Sequence, residues 1–293
     1  MTLPLQEIIV YSFSLFVFGL AVGSFLNVVA IRYNPDNFLF SLKNLRGRSH
    51  CMNCSKTLCW YELAPLFSFL VQMGKCRGCC AKLSWQYPIV EFLTGTAFLI
   101  PIYFYYFFPL LVWYYWFAII WVLVAVLLIL MSVIDYRLYL IPDEIIVGIS
   151  ILGLILAGLK LYYQNFIGWN TSFLKNYSLL IILPGNIFWQ HVLAAVICFV
   201  LFLLIVLLTK GKGMGIGDVK LAGAIGLLMG SPDAFLALAL SFVIGSAIGL
   251  FLMSLNKKKF KEPIPFGPHM VIGVFTVMFF GYQILDFYFH LFG

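Results

Sequence analysis

Long apolar runs alternate with shorter polar segments along the whole chain. The first run covers residues 5–31. Seven more lie near 86–108, 110–134, 143–163, 187–208, 218–232, 233–255 and 269–290. A membrane-spanning α-helix needs roughly 20 apolar residues, so the pattern predicts an all-α polytopic membrane protein with about eight transmembrane helices. The first run lacks the basic start of a cleaved signal peptide, and we interpret it as a retained span.

The sixth run is short and rich in small residues. Its segment 219–230 would form only about 18 Å of helix. Its small residues are Ala222, Gly223, Ala224, Gly226 and Gly230. Two interpretations stay open and are compatible: close packing against neighbouring helices, which small residues permit in lipid, and a short buried helix that starts below the membrane surface.

Composition and charge agree with a membrane protein. Hydrophobic residues make up 63% of the 293 residues, charged residues 10%, and the mean hydropathy is +1.03. These values exclude a soluble globular enzyme, a disordered tail and a secreted disulfide scaffold. The net charge is +7, and all of the 18 basic residues except Lys160 and Lys175 fall in segments on one predicted side. Those segments are 32–84, 135–142, 209–217 with Lys220 just beyond, and 256–268.

Basic residues mark cytoplasmic loops, so this distribution predicts that both termini lie outside. The lipid bilayer explains the charge without nucleic acid, and no nucleic-acid partner is expected. Segment 32–84 is then a long cytoplasmic loop, and it contains every cysteine except Cys198.

Two CxxC pairs in this loop form a zinc-ribbon pattern. The pairs are Cys51/Cys54 and Cys76/Cys79, with 21 residues between them. Two intervening residues let both sulfurs of a pair bind one tetrahedral ion. Four thiolates leave no open coordination position, which predicts a structural zinc. Disulfides are the alternative, although a cytoplasmic loop stays reduced. Two further cysteines, Cys59 and Cys80, leave open which thiols bind.

Acidic residues near the membrane are costly and therefore suggest function. Asp135 closes the predicted third span and Asp218 opens the sixth, both on the cytoplasmic side. Two adjacent carboxyl groups can share a proton, activate a water and protonate a leaving group. Gly215 and Gly217, next to Asp218, suggest unusual backbone dihedrals and room for a substrate strand. The alternatives are a helix cap at Asp218 and an ion pair between Asp135 and Arg137.

Helix ends also suggest how the two aspartates differ. The helix dipole favours a carboxylate at a helix start and disfavours one at a helix end, so we hypothesise that Asp218 is ionised and Asp135 holds the shared proton. Asp143 and Glu144 follow Pro142 at the fourth span, where capping explains them. Three histidines, His191, His269 and His290, lie at predicted span ends, where an interface role is the default.

The ordered set of motifs resembles the type IV prepilin peptidases. It consists of GSFLNVVAIR at 23–32, the two CxxC pairs, YPIVE at 87–91, Asp135 with IPD at 141–143, GIGD at 215–218 and PFGP at 265–268. The resemblance implies an eight-helix aspartyl protease of the bacterial inner membrane. Such enzymes cleave the leader of type IV prepilins or pseudopilins at the cytoplasmic face. They then N-methylate the new terminal residue with S-adenosylmethionine.

The resemblance also assigns residues and regions. Asp135 and Asp218 occupy the catalytic positions, and Cys51, Cys54, Cys76 and Cys79 occupy the zinc positions. It implies a first helix at 1–31, a zinc-binding loop linked to methylation at 32–85 and a seven-helix protease domain at 86–293. The methyl-donor site stays unassigned. Its candidates are Gly23, Asn27, Arg32 and Glu91, with packing the equal alternative for the first two.

Three other activities are less consistent with these motifs. Presenilin-type proteases pair Tyr-Asp with GxGD and a later Pro-Ala-Leu, whereas Ile134 precedes Asp135 here and the late motif is PFGP. A proton-coupled transporter predicts carboxylates near mid-membrane and an internal repeat, and the sequence shows neither. A methyltransferase without protease activity would not need both aspartates.

Overall fold

The computed structural model describes residues 5–41, 47–107, 114–167, 172–180, 186–211, 213–255, 262 and 264–292. Helices dominate these residues, which contain no β-structure beyond two isolated bridges. Seven helices are long and apolar enough to cross a membrane, so the predicted all-α polytopic fold is confirmed. Part of the basic set that predicts the orientation lies outside the described residues, namely Lys43, Arg46, Lys212, Lys257, Lys258, Lys259 and Lys261.

The chain forms two compact units, Met1–Ile134 and Asp135–Gly293. In the first unit, α1 packs on α3. A Cβ atom at Gly23 would lie 2.7 Å from the Cα of Glu91, so the glycine permits this close approach. Pro101 separates α3 from α4 because its ring clashes with the carbonyl four residues earlier. The bounds are α1 Leu5–Arg32, α2 Phe67–Val71, α3 Gln86–Ala97, α4 Ile100–Phe107 and α5 Tyr114–Leu138, whose last turn belongs to the second unit.

The second unit is an assembly of helices around a short central one. That helix, α8, packs mainly on α6 and α7, and α9 packs on α10. Their apolar sequences suit lipid, where each backbone polar group must be satisfied within the helix. The bounds are α6 Asp143–Ile167, α7 Ile187–Leu208, α8 Ile216–Met229, α9 Asp233–Ser254 and α10 Gly267–Phe292.

The short helix α8 corresponds to the predicted sixth span. Its 14 residues extend about 21 Å, less than the roughly 30 Å of the hydrocarbon core. It is therefore absent from the seven candidate spans, whereas the sequence predicted eight. Most of its residues are buried, which agrees with the interpretation as a short interior helix held by close packing.

Candidate active site

Asp135 lies in the last turn of α5 and is buried, with 4% of its surface exposed. The backbone N–H of Gly267 donates to its Oδ2 at 3.0 Å. Gly267 is the first residue of α10, where N–H groups have no partner within the helix. The carboxyl group of Asp135 therefore sits at the start of another helix, 132 residues away in sequence.

Asp218 lies in the first turn of α8 and is 9% exposed. The N–H of Gly215 donates to its Oδ2 at 3.1 Å, so the side chain also stabilises the start of its own helix. The capping alternative is thus satisfied at Asp218 without excluding a catalytic role. One carboxyl oxygen is not engaged by this hydrogen bond.

Both carboxyl groups lie in the second unit, close enough for the charge of Asp135 to act on Asp218. Residues far apart in sequence, from α5 and α8, thereby form a pair of buried acids. Each acid accepts one backbone N–H at a helix start, since Asp135 faces α10 and Asp218 opens α8. The helix ends suggested that Asp218 is ionised and that Asp135 holds the shared proton. Because Asp135 also lies at the start of α10, both carboxyl groups lie at a helix start, and their positions favour ionisation of neither one over the other.

Gly215 and Gly217 have ordinary backbone conformations, so neither uses the unusual dihedrals that glycine allows. Gly215 has φ −83° and ψ 160°, which any residue adopts, and Gly217 is not among the positive-φ glycines. A Cβ atom at Gly215 would lie 3.6 Å from Asp218 Oδ2, and one at Gly217 would lie 3.3 Å from Ile141 Cβ. A Cβ at Gly215 would therefore be in ordinary contact with Asp218, whereas one at Gly217 would press against Ile141.

The neighbouring acidic residue Asp143 belongs to an exposed ion pair. It is the first residue of α6, and Lys220 Nζ approaches its two carboxyl oxygens at 2.7 and 2.9 Å. Its side chain is 68% exposed. Its position at the start of α6 agrees with the predicted capping role and distinguishes it from the buried pair.

The four predicted zinc cysteines converge. The sulfur atoms of Cys51, Cys54, Cys76 and Cys79 all lie within 4.8 Å of one another. Two of these separations are 3.9 Å, between Cys51 and Cys79, and 4.0 Å, between Cys54 and Cys76. Tetrahedral zinc with Zn–S bonds of about 2.3 Å requires sulfur separations of about 3.8 Å. The cluster can therefore hold a metal ion, and its spacing fits zinc.

The two CxxC pairs have the same local structure. In each pair, the backbone N–H of the residue two positions after the first cysteine donates to the sulfur of that cysteine. Asn53 donates to Cys51 at 3.4 Å, and Gly78 donates to Cys76 at 3.3 Å. Ser55 and Cys80 occupy equivalent positions, and both have φ 57°. Cys80 is thus the left-handed turn residue of its pair.

This geometry separates the cysteines that the sequence left ambiguous. Cys80 and Cys59 are exposed and lie outside the four-sulfur cluster. Cys79 supplies the fourth sulfur. Its thiol has a pKa lowered to about 6, because the Asn53 side chain and the Ala81 backbone donate hydrogen bonds to the sulfur. Backbone N–H groups of Cys54 and Asn53 likewise lower the pKa of Cys51. Both environments favour the thiolate that binds metal.

A cavity of about 450 Å³ lies beside this cluster in the first unit. Three of the four methyl-donor candidates, Asn27, Arg32 and Glu91, line it. Asn27 Nδ2 donates to the carbonyl oxygens of Gly23 and Tyr87 at 3.3 and 3.2 Å, so it joins α1 to the start of α3. The fourth candidate, Gly23, acts through packing, as described above.

A buried polar cluster was missed by the sequence analysis. Lys160, predicted in an outer loop, lies in α6 and is 5% exposed, and its Nζ is 3.3 Å from His191 Nε2. Lys160 also interacts electrostatically with Asp233. His191 is 3% exposed and lies near the start of α7, so it is buried within the protein at a span end. The sequence did offer one sign of this cluster, because Asp233 is an acidic residue at the start of a predicted apolar span.

Asp233 also holds the chain before α7. Ser172 Oγ donates to its Oδ1 at 2.5 Å, and the N–H of Phe173 donates to its Oδ2 at 3.1 Å. His191 in turn contacts the carbonyl oxygen of Leu227, the third-last residue of α8, through Nδ1 at 2.8 Å. The cluster therefore joins α6, α7, α8 and α9, and it is a candidate for holding α8 in position.

Comparisons with known proteins decide the family. A model of the type IV leader peptidase family matches residues 121–250, and one of the bacterial peptidase A24 N-terminal domain matches 17–106. The chain is 30% identical to the prepilin leader peptidase/N-methyltransferase of Aeromonas hydrophila, over 93% of this chain and 92% of that protein. The chain belongs to the type IV leader peptidase family. No solved structure matches it significantly.

Other members of the type IV leader peptidase family cover similar lengths. The prepilin leader peptidase/N-methyltransferase of Bacillus subtilis is 28% identical over 94% of this chain and 96% of its own length. That of Pseudomonas aeruginosa is 30% identical over 91% and 89%. The matched peptidase segment contains both buried aspartates, and the matched N-terminal segment contains the cysteine cluster and the cavity.

Proposed function

We propose that the chain removes the leader peptide of type IV prepilins or pseudopilins and N-methylates the new terminal residue with S-adenosylmethionine. Membership of the family supports both activities, because relatives across most of the chain carry both in their names. The single observation that carries the protease is a pair of buried carboxyl groups, Asp135 and Asp218, each of which accepts a backbone N–H at the start of a helix.

The pair is suited to acid–base hydrolysis of a peptide bond. Two neighbouring carboxyl groups cannot both ionise easily and so share one proton. The ionised member takes a proton from water as the water attacks the scissile carbonyl carbon, and the protonated member gives its proton to the departing nitrogen. The N–H groups of Gly267 and Gly215 fix the two side chains, so little reorganisation is needed during reaction.

The space beside Asp218 supports an extended substrate strand. Gly215 and Gly217 carry no side chain there, and a Cβ at either position would not clash severely with the protein itself. The absence of side chains is therefore not required by folding alone. We infer that the backbone of the prepilin runs along these two glycines during cleavage.

The cysteine cluster is proposed to bind a structural zinc ion. Residues Cys51, Cys54, Cys76 and Cys79 would complete its coordination, leaving no position for a reacting water. The ion would order the loop of the first unit, whose core is too small to fold without it. Residues 32–85 would thereby support methylation, and 86–293 would carry the protease.

The basic residues support a location in the bacterial inner membrane with the acid pair on the cytoplasmic side and both termini outside. In this orientation the acid pair would face the basic leader of a prepilin, while the apolar segment that follows the leader would lie in the lipid. The bilayer would then hold the cleavage point at the interface.

The test is incubation of the purified protein with a prepilin and S-adenosylmethionine, followed by mass spectrometry. Wild type should release the leader and add one methyl group to the mature terminus, whereas Asp135→Ala and Asp218→Ala should release none. Asp143→Ala is the matched control, since this acid lies nearby but belongs to an exposed pair with Lys220. Cleavage that survives both aspartate substitutions would overturn the proposal.

A further inference from the structure

The cavity beside the cysteine cluster has the size and lining of a small-molecule site. Its volume of about 450 Å³ falls within the ~300–1,000 Å³ of pockets that bind drug-sized ligands. Apolar atoms form most of its surface, about half of its lining residues are polar or charged, and the lining comes from α1, α3 and the cysteine loop. Cys51 and Cys76 lie in its wall, so the metal cluster supports its shape.

Glu91 is the unusual member of this lining. It is 6% exposed, and its Oε2 accepts the N–H of Leu66 at 2.8 Å, while the Ser24 hydroxyl also donates to the carboxylate. Among the described residues no basic side chain forms an ion pair with it. Glu62, in the same lining, does have such a partner, since Lys56 Nζ lies at 3.1 Å.

A desolvated carboxylate without a counter-ion is costly. A ligand that places a positive charge at Glu91 would remove that cost, while Arg32 and Lys82 in the same lining would suit a negative group elsewhere on the ligand. S-adenosylmethionine carries such a positive charge, with a sulfonium and an ammonium at one end and an adenine ring at the other. A neutral nucleoside would leave the Glu91 carboxylate without a counter-ion.

Other lining residues suit the rest of this molecule. Phe69 is 8% exposed and packs against Trp85 with 5.1 Å between ring centroids, which offers a rigid apolar wall for the adenine. The side-chain amide of Gln72 lines the cavity, and Lys82 supplies a positive charge that complements the carboxylate of the methyl donor.

We propose that this cavity is the methyl-donor site and that Glu91 binds the positively charged end of S-adenosylmethionine. The inference rests on the proposed methyltransferase activity and adds its location. Gly23 belongs to the same arrangement as a positioning residue, because its missing side chain lets α1 lie against Glu91 and places Ser24 beside the carboxylate.

The test measures ligand binding by calorimetry with the full-length, metal-loaded protein in detergent. Glu91→Gln keeps the shape of the side chain and one acceptor oxygen for the Leu66 N–H but removes its charge. It should weaken S-adenosylmethionine at least about tenfold, the range of a hydrogen bond to a charged group. Methylthioadenosine has neither the sulfonium nor the ammonium, so its Kd should be the same for both proteins. Glu91→Asp should restore part of the affinity for S-adenosylmethionine.

Melting curves and metal content show whether each variant is folded. An unchanged Kd for S-adenosylmethionine in Glu91→Gln, or an equal loss for both ligands, would overturn the charge assignment. Loss of binding only to a peptide with a free amino terminus would place the pilin amine at Glu91 and also overturn it. If wild type neither binds nor uses S-adenosylmethionine, the proposed methyltransferase fails; if wild type methylates while Glu91→Gln binds normally, only this inference fails.

Discussion

The contact between α7 and α8 should depend on one glycine more than on its neighbour. A Cβ atom at Gly226 would lie 2.7 Å from both the carbonyl oxygen of Ala194 and the Cα of Ala195 on α7. Ordinary van der Waals contact requires the helices to separate by roughly 0.7 Å there. At Gly223, one turn earlier on α8, the corresponding distance is 3.4 Å, to Phe199 Cβ, which needs little movement.

Alanine at either position gains the same helix propensity, about 1 kcal/mol over glycine, so this contribution cancels between the two variants. Overpacking costs about 1–3 kcal/mol and applies only to Gly226→Ala. That variant should therefore melt several degrees below Gly223→Ala. Because α8 carries Asp218, its displacement should also slow prepilin cleavage by a factor of about ten to a hundred.

The assay compares thermal unfolding in detergent, followed by tryptophan fluorescence, with the initial rate of leader release. Gly223→Ala is the matched control: it should melt at or slightly above the wild-type temperature, because alanine gains helix propensity, and it should retain the wild-type rate. Equal melting temperatures and equal rates for the two alanine variants would refute the close contact. A lower melting temperature with a normal rate would show that α8 does not position Asp218 through this contact.

Three further results are expected. Cys79→Ser should lose bound metal, as measured by mass spectrometry of the native protein. Cys80→Ser should retain the metal, because that thiol is exposed and lies outside the cluster. Equal metal content in the two variants would contradict the assignment of Cys79 as the fourth ligand. Lowering the pH should release the metal, because protons compete for the thiolates, and a metal content independent of pH down to 4 would be inconsistent with thiolate ligation. Asp233→Asn should destabilise the protein by about 1–3 kcal/mol, because it removes one acceptor from the buried hydrogen bonds of Ser172 and Phe173 and the negative charge that acts on Lys160. The double variant with Lys160→Met should recover part of this loss, and a double variant as unstable as the single one would argue against an electrostatic contribution from Lys160.

Much of the fold follows from the sequence because lipid imposes a simple rule. Helices must be long and apolar, so runs such as 187–208 are recognised directly, and the structure begins and ends that helix at the same residues. The cysteine spacing likewise predicts the cluster, since the metal-binding geometry is local to each CxxC pair. Which of Cys79 and Cys80 joins it depends on a left-handed turn at Cys80, which spacing alone does not reveal.

Features that depend on tertiary packing were harder to predict from the sequence. Lys160 was counted among the outer basic residues although it lies within the predicted run 143–163, and His191 and Asp233 from other helices lie near it. The cavity is invisible in the sequence because its lining comes from α1, α3 and the cysteine loop. Glycine allows unusual dihedrals, but Gly215 and Gly217 do not use them, and only the packing shows that Ile141 lies close to Gly217.

The most direct test of the acid pair is a double-mutant comparison of prepilin cleavage rates. Asp135→Asn and Asp218→Asn each remove one member of the pair while preserving size. If the two side chains act as a unit, each substitution should slow cleavage by about 10²–10⁴-fold, and the double variant should be no slower than the worse single variant. Multiplicative losses in the double variant, or a single variant with wild-type rate, would contradict a shared catalytic site.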